Sequence, residues 1–207
     1  MMPRSQKGFT LVELLVATAL SLIVLASVAT FFRAQTKTVK GQESRMEANE
    51  YVLTVLDMVV REIRNTGYYP KAACDTTGGI TSASTNGFSL QYDKNSDGAC
   101  SGDDEVIAFA YDSANKNVTR NGQALTDGNA TALQFSYYPQ QTSGTLPAPY
   151  CISTGVPSGC SGTLSANYKS VQKITVSLTV TPKSTDSDFT GSPVTLSLTA
   201  DLRNHGT

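Results

Sequence analysis

The chain has no tryptophan, one histidine (His205), and charge on only 16% of its 207 residues. The shortage of imidazole removes the commonest route to catalysis, since a Ser-His-Asp relay needs a positioned histidine and His205 lies where a terminus frays. No G-x-S-x-G, Walker loop or dinucleotide glycine pattern is present, and the adjacent acids Asp103, Asp104 and Glu105 read as a solvated strand entry. Lysine and arginine total 16 against 17 acids, so no basic excess points to nucleic acid. Proline is missing between Pro3 and Pro70, which frees that whole stretch from the strongest helix breaker. The charge imbalance is also too small, and the apolar share of 40% too large, for a disordered chain.

Against these absences stands an uncharged, mostly apolar run of 24 residues, Phe9 to Phe32, interrupted by one acid, Glu13. About 20 apolar residues cross a bilayer. A carboxylate near the bilayer centre costs about 2.5 to 3.5 kcal/mol, so it persists where it finds a partner, and the obvious partner is an amine. An ordinary secretory signal has an apolar core of about 7 to 15 residues without such an acid, although Ser27-Val28-Ala29 would pass for its cleavage site. Arg4 and Lys7 orient the preceding segment toward the cytoplasm, an orientation weakened by Arg33, Lys37 and Lys40 beyond the run.

Gly8-Phe9-Thr10-Leu11-Val12-Glu13-Leu14-Leu15-Val16-Ala17 resembles the class III signal of type IV prepilins and of type II secretion pseudopilins. The resemblance implies that a prepilin peptidase cuts after Gly8 and methylates Phe9, so that Glu13 becomes the fifth residue of the mature protein. It implies further that Glu13 faces the terminal amine of a neighbouring subunit in a filament. Loss of Arg4 and Lys7 with the leader would leave 14 basic and 17 acidic residues, a net charge of −3.

Beyond Phe32 the helix is expected to continue. Ala48, Val52, Val55, Leu56, Val59, Val60 and Ile63 recur at the three-and-four spacing of one helical face, with Glu43, Arg45, Glu47, Glu50, Asp57, Arg61 and Arg64 opposite. Gly67 is placed to take a left-handed C′ conformation and Pro70 to prevent resumption. Unbroken from Phe9 to Thr66, the helix would have 58 residues and extend roughly 87 Å at about 1.5 Å per residue. Many major pilins resemble one another in a proline where Thr30 stands here. Its absence makes the chain look more like a minor subunit, with Gly41 the weak point of the helix.

After a Gly/Ser/Thr/Asn loop from Lys71 to Gly87, strand patterns follow. Phe88, Leu90 and Tyr92 alternate with polar neighbours, and Glu105 to Tyr111 reads as a central strand apolar on both faces. Asn121-Gly122 sits between short strands as a hairpin turn. Leu133, Phe135 and Tyr137 mark another strand, and Ile174 to Val180 and Val194 to Leu202 are two long alternating ones. The expected fold class is α+β, an N-terminal spine helix with an antiparallel sheet wrapped on its C-terminal half, as in the type IV pilin fold. The expected domains are a leader at 1–8, a transmembrane and assembly helix at 9–32, an amphipathic helix at 33–67 and a β domain at 68–207. The tyrosines at 68, 69, 137, 138 and 150 read as packing residues rather than an adhesive surface.

Cys74, Cys100, Cys151 and Cys160 all follow the apolar run, on what would be the oxidising side. Four cysteines allow three pairings. The local one, Cys74 with Cys100 and Cys151 with Cys160, is expected because each closed loop is rich in small polar residues and lacks packing residues of its own. No zinc spacing is present. Asp93, Asn95 and Asp97 before Gly98, with Asp104 at the twelfth position, fit a calcium loop, although Glu105 is one residue late and a solvated acidic turn is the favoured reading. No other cofactor is implied.

The stretch Val60 to Tyr68 and the C-terminal strands ending Asp201-Leu202-Arg203-Asn204 resemble PilW-type minor pilins. That resemblance implies priming or tip assembly of a type IV pilus. The implied partners are other minor pilins, major pilin subunits, the prepilin peptidase, the inner-membrane assembly machinery and, before assembly, membrane lipid. It implies an inner-membrane protein with its domain in the periplasm and, once assembled, in a surface filament. The alternative is a minor pseudopilin at the tip of a type II secretion pseudopilus.

Overall fold

The proline-free stretch folds as one α-helix, α1, Leu11–Asn65, and Gly41 keeps helical conformation within it. A computed structural model describes residues 8–70, 74, 78–141, 147–152, 159–164, 168–183 and 191–203. The chain divides into two units, Met1–Glu43 and Ser44–Thr207. In the first, Leu11, Leu15, Leu22, Leu25 and Phe32 are all exposed, so the helix is apolar around its circumference and buries none of that surface within the unit.

In the second unit the periodic stripe is covered completely. Ala48, Val52, Val55, Leu56, Val59, Val60 and Ile63 are buried, and Leu56 and Ile63 have no exposed surface. The helix stops where Gly67 turns left-handed at φ 71°. The Gly67 N–H donates to Gln91 O (3.1 Å) in place of a bond within the helix end.

Two antiparallel sheets meet on that stripe, where sequence led us to expect one. The first has five strands in chain order: β1 (Ile80–Ala83), β2 (Gly87–Gln91), β3 (Val106–Asp112), β4 (Asn117–Arg120) and β5 (Gln123–Ala124). The second orders β6 (Ala130–Tyr138), β7 (Lys173–Val180) and β8 (Val194–Asp201). They separate because β6 joins the first sheet at a corner instead of along a ladder. Phe135 N–H donates to Thr85 O (2.8 Å), and the Tyr137 hydroxyl donates to Ser84 O (3.0 Å). Phe88 stacks within 5.7 Å of Phe135 and 6.0 Å of Tyr137, which seals the corner.

Two further expectations change. Ile80–Ala83 form strand β1 within what reads as a loop, because Ile80 supplies one fully buried anchor; residues 71–73 and 75–77 lie outside the described set. β3 buries one face only, with Ile107 and Phe109 inside and Val106 and Ala110 exposed. The Asn-Gly turn forms as expected, Asn121 at φ 50° and Gly122 at φ 80°.

Gly79, at φ 88°, lies directly against the end of the helix. A Cβ there would fall 2.5 Å from Gly67 Cα and closer still to the Gly67 nitrogen, both backbone atoms that cannot swing away. Gly79→Ala is therefore expected to cost roughly 2 to 4 kcal/mol in urea unfolding of the purified protein. Gly122→Ala, with φ strain but open space around it, should cost less.

Burial pushes the Tyr137 and Tyr92 phenols above their ordinary value, and Glu62 beside Tyr92 pushes it further. The folded state thus keeps protons that the unfolded chain releases near pH 10. This contribution is intact below about pH 10 and is lost as pH rises toward the folded values. Unfolding free energy followed against pH should bend downward above about pH 10, and Tyr92→Phe should make that descent shallower.

Candidate assembly site

The N-terminal end of α1 is built from Thr10-Leu11-Val12-Glu13, an S/T-x-x-E capping box. Thr10 N–H and Thr10 Oγ1 both donate to Glu13 Oε2, at 2.9 and 3.0 Å, and Glu13 N–H donates back to Thr10 Oγ1 at 3.3 Å. Two orphan helix-start donors are satisfied in this way, and a carboxylate stands at the positive end of the helix dipole. Gly8 and Phe9 precede it, and Phe9 is 87% exposed.

The hydroxyls along the apolar run are hidden by their own backbone. Thr18 donates to Leu15 O, Ser21 to Ala17 O, Ser27 to Ile23 O and Thr30 to Ser27 O, all within 2.8 to 2.9 Å. Each of these four hydroxyls thus carries its own acceptor, as a helix in an apolar medium requires.

In the second unit the two disulfides join Cys74 to Cys100 and Cys151 to Cys160, with Cα atoms 5.7 and 5.1 Å apart. The first ties the loop before β1 to the loop between β2 and β3. That latter loop is organised by two buried carboxylates. Asp93 accepts from Asp97 N–H (3.2 Å) and Gly98 N–H (3.0 Å). Glu105, only 4% exposed, accepts from Lys94 N–H (3.1 Å), Asn95 N–H (3.3 Å) and Ser101 N–H (3.0 Å). Five backbone N–H groups are thus satisfied by these two side chains.

A model of the prokaryotic N-terminal methylation motif matches residues 3–29. A model of prepilin peptidase-dependent protein B matches residues 41–207, most of the chain. The chain belongs to the prepilin peptidase-dependent protein B family. Comparison with curated proteins and with solved structures gave no match. As a prepilin peptidase-dependent protein B chain it is a pilin-like protein that carries a methylation motif, an apolar helix long enough to span a bilayer, and an α+β layout of the type IV pilin kind. Pilin-family domains build structure rather than catalyse, and His205 lies outside the described residues.

The calcium candidates all have hydrogen-bond or ion-pair partners within the protein. Asp93 turns inward to the backbone, Asn95 Oδ1 and Asp97 Oδ1 accept from Asp97 N–H and Ala99 N–H at 2.9 and 2.7 Å, and Asp104 Oδ2 pairs with Lys94 Nζ at 3.3 Å. Among the described residues no three His, Cys, Asp or Glu side chains group as a metal site. The Asp103 to Glu105 run divides in the same way: the two aspartates are exposed, whereas Glu105 is interior and functions as a loop strut.

Three contacts escaped the sequence reading. Thr10 is the hydrogen-bonding partner of Glu13, a role its spacing of three already signals. Glu62 accepts from the Tyr92 hydroxyl (2.9 Å) and from Arg120 Nη2 (3.3 Å), linking α1, β4 and the residue following β2. Asn121 accepts from Ala108 N–H (2.7 Å) and donates to Asp103 O (2.9 Å) and Val106 O (3.1 Å). Neither long-range contact has a signature in local spacing.

Because backbone amides satisfy the loop acids, the melting temperature in excess calcium should stay within about 1 °C of that in chelator. Asp93→Ala should lower it in both conditions by removing acceptors for two N–H groups. Stabilisation by calcium, lost in Asp93→Ala, would contradict this account of the loop.

Proposed function

We propose that the chain is a minor type IV pilin, PilW-like, that takes part in priming or tip assembly of a pilus through its N-terminal helix. The observation that carries this reading is an entirely uncovered apolar helix headed by a methylation motif and followed by a disulfide-bonded domain. Prepilin peptidase cuts after Gly8, and Phe9 becomes the methylated N-terminus. The first unit sits in the inner membrane, and the disulfides suit an exported second unit in the periplasm. The assembly machinery then moves the helix from lipid to the helices of major and minor subunits. Packing between helices drives that exchange, since lipid and helix surfaces are equally apolar.

Glu13 acts twice in this scheme. In the subunit it caps its own helix through Oε2. In the filament its charge pairs with the terminal amine of a neighbour, which offsets the cost of an acid in an apolar bundle. The chain itself catalyses nothing and takes no cofactor.

Glutamine also completes a capping box but carries no charge, so Glu13→Gln separates the two roles. Both Glu13→Gln and Glu13→Ala should remain membrane-inserted while recovery in sheared pili drops about tenfold. Normal recovery of Glu13→Gln would rule out the charge pairing. Mass spectrometry of the membrane form should show a chain beginning at N-methylated Phe9; retention of Met1 would overturn the processing step.

A further inference from the structure

The four edges of the two sheets are not alike. β1 has four residues and a register shift between Ile80 and Ser82, and β5 has two residues. β6 is engaged on its outer side, where Phe135 N–H donates to Thr85 O and Tyr150 N–H to Tyr137 O, both at 2.8 Å. β8 differs from all three, being paired to β7 over eight residues from Val194 to Asp201 without a register shift.

The register shows which backbone groups β8 leaves open. Leu202 N–H donates to Gln172 O (2.9 Å), and backbone direction alternates along a strand. Val194, Leu196, Leu198 and Ala200 therefore turn their N–H and C=O toward β7, while Thr195, Ser197, Thr199 and Asp201 turn theirs outward. Among the described residues nothing bonds to that outer row. Proteins usually guard such an edge with lysine, proline, a bulge or a covering element. The only charge within β8 is Asp201, at its end, where Lys173 of β7 holds it at 3.6 Å.

Beside this edge runs a groove of about 260 Å³ lined by Asp57, Val60, Arg61 and Arg64 of α1 and by Leu198 and Thr199 of β8. Arg61 and Arg64 are exposed, and among the described residues neither has a carboxylate within ion-pair distance. Asp57 in the same groove offsets one of the two charges, so the groove is net positive. Guanidinium forks of this kind match carboxylates in geometry as well as sign.

We infer that the outer edge of β8 is a docking site for an extended, acidic segment of a co-assembling subunit, which adds a strand beside β8 and sets carboxylates on Arg61 and Arg64. Backbone pairing supplies affinity, and the two arginines select the segment. This inference rests on the assembly reading above but uses a surface that the N-terminal helix does not provide.

The test places a benzoylphenylalanine photo-crosslinker at Thr199, and separately at Ser82 on β1, in the full chain within piliated cells. Irradiation should give an adduct at Thr199 and none at Ser82. The crosslinked peptide, read by mass spectrometry, should be an acidic non-helical segment of a different subunit. Ser197→Pro removes one outward N–H and leaves the β7 ladder intact, so it should cut the adduct about tenfold without changing the melting temperature. The double variant Arg61→Glu/Arg64→Glu should do the same through charge, which provides a second route if the proline variant misfolds. An adduct formed only with a second copy of the chain would overturn the proposed occupant. No adduct, with the protein present in sheared pili, would overturn the site while leaving the assembly reading standing; absence of the protein from pili would remove both.

Discussion

One face of helix, the apolar stripe from Ala48 to Ile63, is the surface on which both sheets close. Both sheets are open and leave one apolar face to be covered: one ends in strands of four and two residues, and the other has three strands. Their inner faces, with Phe88, Phe109, Phe135 and Ile174 at their centres, share one core with the helix stripe and meet each other where Phe88 packs on Phe135 and Tyr137. Two further contacts fix the helix in place. Gly67 and Gly79 meet backbone to backbone, and Glu62 ties the helix to Tyr92 and Arg120 at the margin of the core. Together these fix both the end of the helix and its rotation, and hence which side chains face outward.

Periodicity made most of this readable. All seven residues of the expected stripe are buried, since spacing of three and four on a helix leaves few other destinations for aliphatic side chains. The alternating strands β7 and β8, the hairpin at Asn121-Gly122 and the helix stop at Gly67 rest on equally local rules. Division into two sheets did not show, because it depends on how β6 meets the turn between β1 and β2, a contact between residues some fifty apart. Strand β1 escaped for the opposite reason: its single large apolar residue, Ile80, sets no pattern.

The candidate site was legible to the same degree. Glu13 stands out because a charge breaks an apolar run, and its neighbour Thr10 could have been found from the capping spacing. The acids from Asp93 to Glu105 were visible as a cluster, but a cluster does not reveal which members turn inward. Burial decided that Asp93 and Glu105 serve the backbone while Asp97, Asp103 and Asp104 face solvent. The Arg61 and Arg64 groove was invisible for a similar reason, as two surface arginines on a polar helix face are ordinary until a bare strand is found beside them.

The self-satisfied hydroxyls of Thr18, Ser21, Ser27 and Thr30 have a consequence of their own. A serine or threonine that must find a new acceptor whenever its surroundings change ties a helix to one environment. Here each acceptor lies one turn back on the same helix, so exchanging one greasy neighbour for another breaks no polar bond. To its surroundings the run behaves as a hydrocarbon, indifferent to what replaces what along its flank, and any preference must come from its two ends.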